Sequence, residues 1–113
     1  MIKVYQISLS DAECRLLEME GWDASPKIKA YADKSFSRMF KIESFKFYEP
    51  VAIVDAEDMD VAFELMNLWE QPERVQKLKL RVPSMSVGDI LEKDGEFYRV
   101  ASFGFDKLEG IVA

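Results

Sequence analysis

The dipeptide Asp94-Gly95 constrains this chain's geometry more than any other pair of residues. It lies between Ile90-Leu91-Glu92 and Phe97-Tyr98-Arg99-Val100-Ala101. An Asp-Gly step between two apolar-rich runs accepts the positive φ angles of a tight hairpin turn. Residues Ser84 to Phe105 are therefore expected to form a β-hairpin unit, led into by Ser84-Met85-Ser86-Val87-Gly88-Asp89. In that lead-in Gly88 accepts a positive φ and Asp89 bonds local backbone N–H groups, so turn chemistry accounts for both. Ser102-Phe103-Gly104-Phe105 reads as a strand end whose glycine lets the two rings point in different directions.

The rest of the chain alternates helix and strand signals. Ile2, Val4 and Ile7 around Lys3 and Gln6 read as a first strand. Ser10-Asp11-Ala12-Glu13 is a capping-box pattern that starts a short helix ending near Gly21. Ser25-Pro26 starts a second, in which Ile28, Tyr31, Ala32, Ser35, Phe36, Met39 and Phe40 share one face. After an irregular Phe45-Lys46-Phe47-Tyr48, the apolar run Val51 to Val54 reads as a central strand. Asp55 is expected to cap the next helix, with Met59, Ala62, Phe63 and Met66 on its buried face and Gln71-Pro72 ending it, Trp69 folding back onto the core. Arg74 to Pro83 reads as a basic connector or edge segment, since Pro83 cannot donate to a sheet ladder. The expected fold is α+β: a small mixed or antiparallel sheet with two or three helices and a C-terminal β-hairpin. Residues 1–113 suffice for one domain, with eight Phe, four Tyr and two Trp to fill its core.

Several chemistries are excluded by what the sequence lacks. There is no histidine, which removes Ser-His-Asp, Cys-His and histidine-zinc designs. Cys14 is the only cysteine, so no intramolecular disulfide forms, and its neighbours Asp11, Glu13 and Glu18 do not favour a thiolate. The five glycines are isolated, so there is no phosphate-cradling loop. The acidic run Asp55-Ala56-Glu57-Asp58-Met59-Asp60 lacks the alternation, glycine turn and distal glutamate of an EF-hand, and the helix macrodipole explains acids there. Neither a metal nor a cofactor is expected. The first residues are too polar for a secretory core, and no window approaches the roughly 18 apolar residues that span a bilayer, so a cytoplasmic location is expected.

Charge is partitioned along the chain beneath a net charge of -6. Six bases against two acids give 6 - 2 = +4 between Lys27 and Lys46. Eight carboxylates and no base follow from Glu49 to Glu73, and Arg74, Lys77, Lys79 and Arg81 then add +4. The basic aromatic stretch from Lys34 to Phe47 has the composition of a single-strand nucleic-acid surface, but Phe36 and Phe40 fall on the core stripe.

Two segments resemble small proteins of tailed phages and other mobile elements, and more loosely the YodL-like domain. The first is Ala62-Phe63-Glu64-Leu65-Met66-Asn67 followed by Trp69. The second is Ser84-Met85-Ser86-Val87-Gly88-Asp89-Ile90, Asp94-Gly95-Glu96-Phe97-Tyr98-Arg99-Val100 and the closing Gly104-Phe105. The resemblance spans about residues 50–108; Val82-Pro83 interrupts the direct Arg-Ser join of those proteins. It implies a phage-type accessory protein and brings no catalytic residue.

The expected function is non-enzymatic: an acidic accessory protein using Asp55, Glu57, Asp58, Asp60 and Glu64 to bind a host or phage protein with a basic surface, such as a nuclease or defence component. The alternative is a nucleic-acid-binding module using the basic stretches 27–46 and 74–81, through Lys34, Arg38, Lys41, Lys77, Lys79 and Arg81. A metal-dependent hydrolase built on the acidic residues ranks last.

Overall fold

The structure is a computed structural model and describes residues 1–36 and 40–111, without the side chains of Ser35 and Phe36. The element order is β1 (Ile2–Gln6), α1 (Asp11–Glu20), α2 (Pro26–Phe36), a 3-10 segment (Ile42–Phe47), β2 (Glu49–Val54), α3 (Met59–Leu68), a second 3-10 turn (Pro72–Arg74), then β3 (Val75–Lys77), β4 (Ile90–Lys93), β5 (Glu96–Val100) and β6 (Phe105–Leu108). The strands form one sheet in the order β3-β2-β1-β4-β5-β6, antiparallel throughout, so the chain is α+β as expected.

Strand alternation divides the core between the two faces of the sheet. Ile2 and Val4 of β1 join Ala62, Leu65 and Met66 of α3 in one cluster. Tyr5 and Ile7 join Ala30 of α2 and Tyr48 in the other, with Phe45 and Phe47 packed against it. Tyr5, Phe45 and Phe97 meet there as a ring triad with centroids 5.4 to 5.9 Å apart. Phe45 and Phe47 are thus packing residues.

Local signals are mostly used as read. Ser10 and Glu13 complete the capping box of α1. Asp94 at φ 52° and Gly95 at φ 79° make the two-residue turn between β4 and β5. Trp69, left-handed at the end of α3, packs on the core with Lys77 over its ring at 4.8 Å.

Three expectations are corrected. Asp58, not Asp55, caps α3, accepting from the Asp60 N–H, because the helix begins only at Met59, and the Asp55 N–H still bonds the Arg74 carbonyl at 2.8 Å beside the sheet. The helix stops at Leu68, before Gln71-Pro72. Ser102 to Phe105 does follow the end of a strand, β5, but Phe105 itself opens a further strand, β6, which returns alongside β5. Within Arg74 to Pro83, Arg74 closes the second 3-10 turn, Val75–Lys77 form the edge strand β3, and Pro83 lies beyond it. The expected continuation of the helical stripe through Met39 falls outside the described residues.

Met66 is fully buried between α3 and the sheet. Met66→Ala should destabilise the fold by about 2–5 kcal/mol in chemical denaturation, through lost transfer energy and the cavity left behind.

Candidate functional site

The acidic residues singled out in the sequence lie together at one end of α3. Asp55, Glu57 and Asp58 precede the helix, Asp60 is in its first turn, and Glu64 follows one turn later on the same side. All five are exposed, and none makes an ion pair among the described residues. The nearby Arg74 guanidinium bonds the Asp55 backbone carbonyl at 2.8 and 3.1 Å, not its carboxylate. The macrodipole favours Asp58 and Asp60 at the N-terminus of α3. It gives nothing to Glu64, and it opposes Glu70, just beyond a C-terminus with no base in its last turn.

The basic residues differ in their surroundings. Lys79 pairs with Glu49 at 2.6 Å, Lys77 lies over Trp69, and Lys41 and Arg81 are exposed. Arg38 lies outside the described residues. Lys34 turns inward: only 10% of its side chain is exposed, and its ammonium meets the Asp89 carboxylate at 2.7 Å.

That contact opens a buried polar cluster that sequence reasoning did not find. Asp89 was read as a turn residue, and its carboxylate does accept from the Ser86 N–H at 3.0 Å. The same carboxylate is 99% buried and also takes the Gln6 amide at 3.1 Å. Burial pushes the Asp89 carboxyl above its ordinary range, while Lys34, the Ser86 N–H and Gln6 pull it back. Gln6 Nε2 donates to the Pro83 carbonyl as well, which fixes the amide's orientation. A flip would set oxygen against both acceptors, so Gln6 Oε1 stays buried without a partner among the described residues.

Arg99, 4% exposed, donates from Nη2 to the Lys34 carbonyl at 2.7 Å, placing a cation at one of the orphan carbonyls that end α2. The Tyr48 hydroxyl donates to the Gly88 carbonyl, and burial with the nearby Asp89 charge raises its pKa, against a smaller opposing effect of Arg99. Gly88 makes this closure fit. Its φ is +92°, and a Cβ there would collide with the Lys34 carbonyl, lying 2.7 Å from the carbonyl carbon.

The signal for this cluster was present but faint. Alternation along β5 puts Arg99 on the same face as buried Phe97, and Lys34 follows Tyr31 at helical spacing. Neither signal names Asp89 as the partner. The cluster orients backbone and neutralises charge. Among the described residues no three His, Cys, Asp or Glu gather in a metal-binding group, and no helix is long and apolar enough to cross a membrane.

Two variants test the cluster. Gly88→Ala should cost on the order of 3 kcal/mol or more by thermal or urea unfolding, since strain and collision add. Lys34→Met strands a buried carboxylate and should cost about 3–5 kcal/mol near neutral pH. Its Asp89 then has a folded pKa further above the unfolded value, so stability is greatest below the unfolded pKa and is lost as pH rises through the folded one. The penalty measured by urea titration should therefore shrink toward pH 4; a penalty independent of pH would mean that Asp89 does not carry the effect.

No family model matches the chain, and no similar curated protein or solved structure was found for it.

Proposed function

We propose that this chain is a non-enzymatic accessory protein of a phage or mobile element, acting in the host cytoplasm. Its partner is a host or phage protein with a basic surface, with nucleases and other defence components as the leading class. One observation carries the reading. The carboxylates of Asp55, Glu57, Asp58, Asp60 and Glu64 are exposed at one end of α3 without ion pairs among the described residues, while Lys77 and Lys79 are engaged elsewhere. A surface of that kind complements a groove that normally holds phosphates, and its attraction is screened by salt. The sequence resemblance over about residues 50–108 supports the provenance.

A nucleic-acid module draws less support. Of its six bases, Lys34 is buried against Asp89 and Lys79 is paired with Glu49, so those two are already committed to carboxylates of this chain.

Capture from host lysate at low and high salt tests the proposal, using the wild type beside a variant with Asp55→Asn, Glu57→Gln, Asp58→Asn, Asp60→Asn and Glu64→Gln. Asn retains a good N-cap at position 58, so the variant should fold. The wild type should retain a basic protein at low salt and release it at high salt, and the neutral variant should retain none. Background proteins alone at low salt, or equal capture by both forms, would overturn the reading.

A further inference from the structure

Beside the buried cluster, whose Lys34 ammonium lies 5.5 Å from the Tyr31 ring centroid, a second feature stands unexplained. Helix α1 has ten residues and buries none of them. Leu16 and Leu17 are half-buried and Met19 is 83% exposed. Between α1 and the strap 78–83 lies an open groove whose lining includes Ile7, Leu17, Trp22, Tyr31, Leu80 and Arg81. Trp22 stacks on Tyr31 with ring centroids 6.4 Å apart, yet 52% of Trp22 remains exposed, and Leu80 is exposed to 96%. An apolar patch of this make-up, rimmed by charge, is what an association surface looks like before its partner arrives.

The charges on its two sides are opposite. Helix α1 carries Asp11, Glu13, Glu18 and Glu20 against Arg15, a sum of -4 + 1 = -3. Glu13 is paired with Lys27, but Asp11, Glu18 and Glu20 have no ion pair among the described residues. The strap contributes Lys79, held by Glu49, and Arg81, exposed and without an ion pair among the described residues. One patch thus contains a protruding side chain, a recess, an acidic helix along one side and the exposed Arg81 on the other. A two-fold contact requires such self-complementarity, because the same surface must serve both partners.

We propose that a second copy of this chain covers the groove, giving a two-fold dimer in which Leu80 of each copy enters the groove of the other and Arg81 faces the other copy's α1. Another protein would need only one half of this complementarity; a second copy uses both. The contact is separate from the acidic end of α3.

Sedimentation velocity at tens of micromolar protein, a range in which a weak specific dimer is populated, tests it on the intact chain. The wild type should sediment as two chains. Leu80→Asp should sediment as one with an unchanged circular dichroism spectrum, since so exposed a side chain contributes nothing to the monomer core. Arg81→Glu should weaken association about tenfold, and adding Glu18→Arg to it should restore association by reversing the pair. A wild type that remains one chain overturns the proposal, as does a dimer indifferent to Leu80→Asp. Failure of the double variant to recover would overturn the facing of Arg81 and α1.

Discussion

Because the Lys34 carbonyl and the Gly88 backbone meet with no room for a side chain between them, the last part of α2 is held at one height over the β4–β5 ladder. The contact is backed by charge. Arg99 grips the same carbonyl from β5, and the Lys34 ammonium reaches past it to Asp89. The Gly88 N–H and the Asp89 carbonyl both bond Val100, so the segment that receives α2 is also locked to β5. Tyr48 brings in the chain just before β2, and Gln6 brings in the end of β1. Five stretches of the chain thereby close on the Asp89 carboxylate and on the carbonyls of Lys34 and Gly88.

Such a cluster specifies more than it stabilises. A buried ion pair recovers little beyond the cost of desolvating its members, and an apolar trio of similar volume would serve stability as well. What apolar side chains do not provide is direction: a carboxylate that needs three donors is satisfied in one arrangement only. The core clusters on the two faces of the sheet supply the driving force, through Met66, Leu65 and Val54 on one side and Tyr5, Ile90 and Phe97 on the other. The polar cluster decides where α2 rests on that second face.

The difference between these two contributions explains what the sequence made legible. Short-range chemistry was readable: the capping box at Ser10, the Asp94-Gly95 turn, the apolar run of β2 and the core side of α3 all follow from residues within a few positions of one another. Asp58 displaced Asp55 as the cap because the chain leaves β2 through hydrogen bonds between Asp55 and Arg74, nineteen residues away, and turns into the helix only at Met59. Strand β6 was missed because Asp106 and Lys107 are both exposed at a sheet edge, where a strand need not alternate. Asp89 was identified as a turn former, which it is, but its pairing with Lys34 spans fifty-five residues and leaves no periodic trace. Exposure of the α3 carboxylates was legible from spacing; the engagement of Lys77 and Lys79 elsewhere was not, since it depends on Trp69 and Glu49, on other segments of the chain.

The fold also decides how the net charge of -6 is displayed. Lys27, Lys34, Lys79 and Lys107 are each committed to a carboxylate on another segment, Glu13, Asp89, Glu49 and Glu96 respectively. None of those carboxylates belongs to the α3 group. Each of these lysines is committed to a partner outside Asp55, Glu57, Asp58, Asp60 and Glu64, which stay exposed without an ion pair among the described residues. A uniformly acidic surface would confer solubility and little else. Charge concentrated in one place gives an approaching basic surface one orientation in which attraction is strongest, and the proposed partner contact relies on that directional bias.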